Sequence, residues 1–290
     1  MELFKSRGQG FLVITLSLVI IGFSVNLFLS VPSEENIKSC MSTQMYNVRL
    51  CEKDKNYVRL NQISPYLKSA LIISEDGYFY SHKGFDWDSL KINLEEGLKA
   101  GVFKRGGSTI TQQLAKNMYL SSDRTWLRKL KEALITMKLE KVLTKNQILE
   151  KYLNIIEFGS NLYGIRAASQ YYFSKQPLNL TPLESAFLVM LLPNPKKYSI
   201  SYRKKQLTPY AKQKIRQILD RMKILGKIDN YQYLVSKINL TGFPWQNPIA
   251  ITREEEDAIS LEAPTPNETI IEDENILDDE SIDEEASDYL

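Results

Sequence analysis

The chain has 290 residues, which allows one good-sized domain with appendages or two small domains. Hydrophobic residues make up 43% of it, enough for a core, and the formal net charge is only +2. That balance hides a segregation: all 37 Lys and Arg lie within residues 1–253 beside 19 acidic residues, a balance of +18, while the other 16 of the 35 acids lie in 254–290. So basic a body points to an anionic partner such as phosphate or a membrane surface. The chain shows no zinc-finger spacing, no RNA-recognition signature and no Gly/Arg-rich tract, which argues against nucleic acid. The single histidine, His82, excludes a metal site built on several His, and Cys40 and Cys51 lack the C-x-x-C spacing of a metal or redox motif.

In chain order, residues 1–10 form a short tail, and Phe11–Leu29 is an uncharged stretch of 19 residues, long enough to cross a bilayer as a helix. Lys5 and Arg7 precede it and Glu34 and Glu35 follow, so the positive-inside rule puts the N-terminus in the cytoplasm and the rest outside. The alternative is a cleaved signal peptide; the stretch is long for one, and no small-residue cleavage site follows Leu29. Residues 30–58 read as a tether. In it Cys40 and Cys51 either pair across a short loop, as an oxidising compartment permits, or remain as two thiols.

From about Leu60 to Leu240 helix-period apolar positions and good helix formers dominate, so the expected class is mainly α. Thr125–Val142 is the clearest helix, with Leu127, Leu130, Leu134 and Met137 as its apolar stripe. Thr144–Gln147 reads as a turn or N-cap before a helix over Ile148–Ile156. Thr181-Pro182-Leu183-Glu184 combines a Thr cap, Pro at the first helical position and Glu at the third; the nearly all-apolar helix it starts should be buried through Leu192. Ala211–Leu225 is a basic amphipathic helix that Gly226 ends. Residues 59–250 thus form one domain. Residues 251–290 are acidic, contain Pro264 and Pro266 and offer only scattered apolar side chains, so they read as a disordered, solvated extension, with a docking tail as the alternative.

Chemistry concentrates in Gly106–Gln113, sequence GGSTITQQ. The Gly pair lets backbone approach a ligand, and five of the six residues after it carry hydrogen-bonding side chains, a density a core segment would not tolerate unpartnered. Glu75 follows the apolar run Ala70-Leu71-Ile72-Ile73; a carboxylate ending a buried helix beside a pocket tends toward a raised pKa and general-base work. Asp76, the nearby aromatics and His82 are expected to hold the local turn. On the helix around Glu132, Arg124, Arg128, Lys131 and Lys138 share a face by spacing, and Lys116 belongs to the helix after the Gly-Gly loop. That set is either a diphosphate cradle or an ordinary solvated basic face.

These motifs resemble the family 51 glycosyltransferases, the bacterial peptidoglycan transglycosylases. Glu75-Asp76-x-x-Phe79-x-x-His82-x-Gly84-x-Asp86 meets the first family motif in full, and Gly106–Gln113 meets the second without a mismatch. Arg128-Lys129-Leu130-Lys131-Glu132 with Lys138-Leu139-Glu140 matches the third. Ile148–Asn154, with Phe158-Gly159 and Tyr163-Gly164-Ile165, resembles the fourth; Leu191–Pro195 and Leu219–Met222 resemble the fifth more loosely. The resemblance covers about residues 60–225 and implies a lysozyme-like helical lobe with a smaller, membrane-facing lobe over about Trp87–Arg105. In that lobe Trp87, Leu90, Leu94, Leu98, Val102 and Phe103 would meet lipid, ordinary core packing being the alternative. Longer members continue into a penicillin-binding transpeptidase domain, for which too few residues follow here, so the single-activity membrane-anchored form is the nearest match.

The reaction implied is extension of glycan strands from lipid II with inversion. Glu75 matches the general base, and Glu132 the second acid, acting at the diphosphate directly or through a divalent cation such as Mg2+. Lys116, Arg124, Arg128, Lys131 and Lys138 would neutralise the leaving diphosphate, and Ser108, Thr109, Gln112 and Gln113 would contact sugar and phosphate. The implied partners are lipid II, the growing lipid-linked glycan and the membrane, with penicillin-binding, division or elongation proteins beyond them and no nucleic acid. The implied location is the bacterial inner membrane, with the catalytic domain on its outer face. A lytic, lysozyme-like glycan cleaver and a non-catalytic membrane scaffold stay open as alternatives.

Overall fold

The computed structural model describes residues 2–100, 107–123, 125–245, 249–250 and 252. Arg124, Val102, Phe103, Gly106 and the acidic segment 254–290 lie outside the described residues. Helix α1 (Glu2–Leu29) is, among the described residues, the one helix long and apolar enough to cross a membrane. Its apolar side chains, Phe11, Ile14, Leu18, Val25 and Phe28 among them, are exposed along its length. Of the body, the Trp126 ring lies against it, 5.8 Å from that of Phe23.

The segment expected as a tether is folded onto the body. Ser33 caps the short helix α2 (Glu34–Lys38), whose Ile37 is fully buried. Strands β1 (Met41–Ser42) and β2 (Arg49–Leu50) pair antiparallel, Met41 opposite Leu50, and the Cys40–Cys51 disulfide closes beside them. Met41 and Val58 join the core, and the Gln44 amide donates to the Met118 carbonyl at 3.1 Å. Apolar side chains this deep make residues 37–58 part of the domain.

The body is otherwise helical, and its helices begin where the cap signals stand. Helix α3 (Pro65–Glu75) starts at Ser64-Pro65. It is followed by α4 (Trp87–Ala100), α5 (Ile110–Tyr119, capped by Thr109), α6 (Trp126–Val142, capped by Thr125) and α7 (Lys145–Ile155). The Thr144/Gln147 capping box starts α7 at Lys145, three residues before the first apolar position. A small hairpin, β3 (Glu157–Gly159) with β4 (Leu162–Tyr163), leads into α8 (Ile165–Phe173). Helix α9 (Pro182–Leu191) has the predicted Thr181/Glu184 box, and all ten of its residues are buried. A helix apolar on every side has to lie at the centre, and α9 packs among α3, α12 (Pro209–Ile224) and α13 (Asn230–Asn239). Two single-turn helices, α10 (Pro195–Tyr198) and α11 (Ile200–Arg203), carry the chain from α9 to α12. Helix α12 starts at Thr208-Pro209, earlier than the expected Ala211, and Gly226 ends it at φ 62°. On the other side of the body α5 packs against α6 and α7.

Helix α6 is turned differently from expectation. The stripe Leu127, Leu130, Leu134 and Met137 is half-buried or exposed, while Glu132, Ile135, Thr136 and Leu139 face inward. Helix α4 likewise exposes Trp87, Leu90, Ile92, Leu94 and Leu98, so its apolar residues are not core packing.

Gly164 lies at φ 79°, and a Cβ there would sit 2.5 Å from the Asn154 carbonyl oxygen. Gly164→Ala therefore combines left-handed strain with a backbone clash and should lower stability by roughly 2 kcal/mol or more; thermal melting of the variant checks this.

Candidate active site

Three segments converge at the C-terminal end of α3. Glu75 is its last residue, and the chain leaves through Asp76, whose carboxylate is buried and used twice. One oxygen accepts from the His82 ring Nε2 at 2.7 Å, the other from the Ile110 backbone N–H at 2.9 Å. The Gly84 amide donates to His82 Nδ1 at 3.1 Å, which leaves the neutral ring's proton on Nε2, pointing at Asp76. Asp76 and His82 thus hold the turn against the start of α5, as expected of them. A negative charge at a helix N-terminus is favourable there. Gly84 adopts φ 92°, and a Cβ on it would lie 2.8 Å from Thr136 Cγ2 of α6, so only glycine lets this turn meet that helix.

The polar loop divides into residues that shape it and residues that face outward. The Thr109 hydroxyl accepts from the Gln112 amide at 3.2 Å and donates to the Gly84 carbonyl at 2.8 Å. The Gln112 side-chain oxygen accepts from the Thr109 amide at 2.9 Å. Both residues are buried, so the expected substrate contacts at Thr109 and Gln112 are instead a helix cap. Ser108 is exposed and its hydroxyl accepts from Lys129 Nζ at 3.3 Å. Gln113 reaches the site: its Nε2 donates to Glu75 Oε2 at 2.8 Å, and its Oε1 accepts from the Tyr152 hydroxyl at 2.8 Å. Thr111, for which the sequence suggested no individual role, donates to Glu140, which also takes Lys145 at 2.7 Å.

Burial pushes the Glu75 carboxyl above the ordinary carboxylate range; the Gln113 hydrogen bond holds it back, the Asp76 charge raises it further, and Lys116 lowers it. Lys116 in turn is lowered by burial, raised by Glu132, lowered by Arg128 and Lys129, and raised by Glu75. This half-buried ammonium therefore lies within electrostatic reach of both carboxylates. Glu132 is 2% exposed. Its Oε2 accepts from Arg128 at 3.0 Å and its Oε1 from Lys129. Lys129 was not among the expected cations, although its place three residues before Glu132 on a helix put it in range. Lys131 and Lys138 are not brought to Glu132: they lie about 100–120° around α6 from it, and Lys138 acts on Glu34 of α2 instead. Shared spacing between those lysines was real, but the face they share is not the one that Glu132 occupies.

The residues present do not make a cage for a divalent ion. Both Glu132 oxygens are taken by cations, and among the described residues no group of three or more His, Cys, Asp or Glu converges. What the site offers is a half-buried carboxylate with raised proton affinity and a cluster of cations, one of which, Lys129, donates to the exposed Ser108 hydroxyl.

A group whose folded-state pKa is raised contributes stability that is complete below its unfolded pKa and lost as pH rises through the folded value. As pH rises past the ordinary carboxylate range, the raised proton affinity of Glu75 therefore costs the native state stability. Glu75→Gln, neutral and nearly isosteric, should raise the Tm at neutral pH, with the gap closing below the ordinary carboxylate range; melts over a pH series measure it.

A family described as Transglycosylase matches residues 42–223. A protein of Chromobacterium violaceum is 51% identical over 142 residues, 49% of this chain and 62% of its own. One of Alcanivorax borkumensis is 47% identical over 154 residues, 53% and 61% respectively. One of Nitrosospira multiformis is 41% identical over 189 residues, 65% and 75%. All three bear the name biosynthetic peptidoglycan transglycosylase. The chain spans about three fifths of the length of the first two. With the family's match covering residues 42–223 of 290, the chain belongs to the transglycosylase family.

Proposed function

We propose that this protein polymerises lipid II into glycan strands of peptidoglycan by inverting glycosyl transfer from a lipid diphosphate. The observation that carries this reading is the pairing of Glu75, desolvated and of raised pKa, with the cations Lys116, Arg128 and Lys129 across the Ser108 loop. Glu75 takes the proton of the acceptor's C4 hydroxyl as that oxygen attacks the donor's C1 from the face opposite the diphosphate. Lys116 and the Arg128/Lys129 pair stabilise the negative charge that builds on the departing diphosphate. Glu132 holds those two cations in place, so its role is to position them.

Helix α1 fits a single-pass anchor, and the exposed apolar face of α4 fits a second contact with lipid. Both keep the site on the surface where a lipid-linked substrate and product reside. The membrane on this reading is the inner one, and Lys5 and Arg7 before the span support a body on its outer side. On this reading penicillin-binding, division or elongation proteins are the proposed partners. A lytic cleaver would use a raised carboxylic acid too, but has no need of the cation cluster.

The protein incubated with labelled lipid II should give long uncrosslinked polymer. Cleavage of preformed glycan would favour the lytic reading, and neither activity would favour a scaffold. Glu75→Gln should lower turnover by on the order of 10²–10⁴ while a phosphate-bearing lipid II mimic such as moenomycin still binds. Near-normal turnover would move the base elsewhere. The pH profile is a finer probe. Turnover should rise with pH through the raised pKa of Glu75. Gln113→Leu, which removes the hydrogen bond that favours the ionised form, should move that acidic limb to higher pH.

A further inference from the structure

The helices α10 to α12 carry a concentration of positive charge that the active site does not use. Between Lys196 and Lys227 the sequence holds eleven Lys or Arg and one acid, Asp220. That acid accepts from the Tyr233 hydroxyl of α13 at 2.6 Å. Arg203, Lys205, Lys214, Arg216 and Arg221 are exposed and enter no ion pair among the described residues. On α12, Ala211, Ile215, Ile218, Leu219 and Met222 form the buried strip. By helical geometry Lys214 and Arg221 stand on one flank of that strip, and Arg216 and Lys223 on the other. Surface charge of one sign, without interspersed acids, repels itself and attracts polyanions.

The chain leaves the described body beside this surface. Asn239, at the end of α13, donates to the Ile249 carbonyl at 2.8 Å and accepts from the Ile249 amide at 2.6 Å. Helix α13 packs on α12. Residues 254–290, with 16 acids and no Lys or Arg, therefore start a few residues from the α12–α13 side. Thirty-seven residues can reach at most about 130 Å by covalent geometry, against a radius of gyration of about 17 Å for a body of this size. Every part of the α10–α12 surface is within its reach, at the millimolar effective concentration that a short covalent link provides.

We propose that the acidic segment 254–290 docks on the basic surface of α10–α12 in its own chain. The contact is set by charge rather than by a pocket. Many carboxylates meet Arg203, Lys205, Lys214, Arg216, Arg221 and Lys223 without one fixed register. Docking neutralises a surface that would otherwise settle on anionic phospholipid, and so leaves α1 and α4 to determine how the body approaches a membrane. This goes beyond the glycosyl transfer proposed above and does not depend on it.

Zero-length carbodiimide cross-linking of the full chain, which joins carboxyls to lysine amines, tests it without an activity readout. A mixture of isotopically light and heavy chains separates links within a chain from links between copies. In neutral phosphatidylcholine vesicles at low salt, links from 254–290 should fall on Lys205, Lys214 and Lys223. They should be several-fold scarcer on the exposed Lys53, Lys55 and Lys83. They should join light to light and heavy to heavy. They should be lost near 1 M salt, where the screening length falls to about 3 Å, and in the full chain carrying R216E and R221E. Links spread evenly over all lysines, links mainly between copies, or links that survive both salt and charge reversal would overturn the proposal. So would their loss at low salt in vesicles containing phosphatidylglycerol, which would give the surface to lipid.

Discussion

Asp76 fixes the relation between the end of α3, the His82–Gly84 turn and the start of α5, and the rest of the site depends on that relation. Its two oxygens have separate tasks, one on the His82 ring and one on the Ile110 amide. Because the preceding residue is Glu75, its carboxylate projects from a backbone held on both sides. Thr109 repeats the tie from α5 back to the turn through the Gly84 carbonyl, and Gly84 admits Thr136 of α6 at a distance no other residue would allow. A site assembled by such contacts is ordered before substrate arrives, which is the condition for electrostatic stabilisation without reorganisation.

The two glutamates show how one domain gives the same side chain two chemistries. Glu75 is surrounded by a neutral amide, a neighbouring carboxylate and one ammonium, and its proton affinity rises. Glu132 is more deeply buried and yet has a cation on each oxygen. A buried carboxylate with two charge-assisted partners suits holding, and a buried carboxylate with one amide partner suits proton exchange.

Much of this was legible in the sequence. Caps at Thr144 and Thr181 announce themselves by residue type, because the first helical amides need a nearby oxygen wherever the helix sits. The burial of α9 follows from its lack of a polar side. What local pattern does not state is the medium a face meets. The apolar stripe on α6 has the right period and points outward, while the inward face includes Glu132 and Thr136. The same blindness explains why Lys131 and Lys138 looked like cradle residues and Lys129 did not. Thr109 and Gln112 read as ligands because a hydrogen-bonding side chain looks the same whether its partner is a sugar or its own backbone. Glu150 and Asn154 are similar cases: Glu150 binds Tyr57 and the Leu60 amide, and Asn154 the Val58 backbone, partners some ninety residues away that no window can reveal.

That clasp on residues 57–60, together with Ile37 and Met41 in the core, removes the slack between α1 and the body. Only about four residues, Ser30 to Ser33, separate the end of α1 from the first turn of α2. With α1 in a bilayer, the Glu75 carboxylate stands at a nearly constant height above the lipid surface, like a tool clamped to a bench. A lipid-linked sugar presents its reactive carbons at a height set by its own diphosphate. For the reaction proposed above, a clamped site would therefore select substrates by elevation as well as by shape, and a longer flexible stalk would lose that filter even with every contact of the site unchanged.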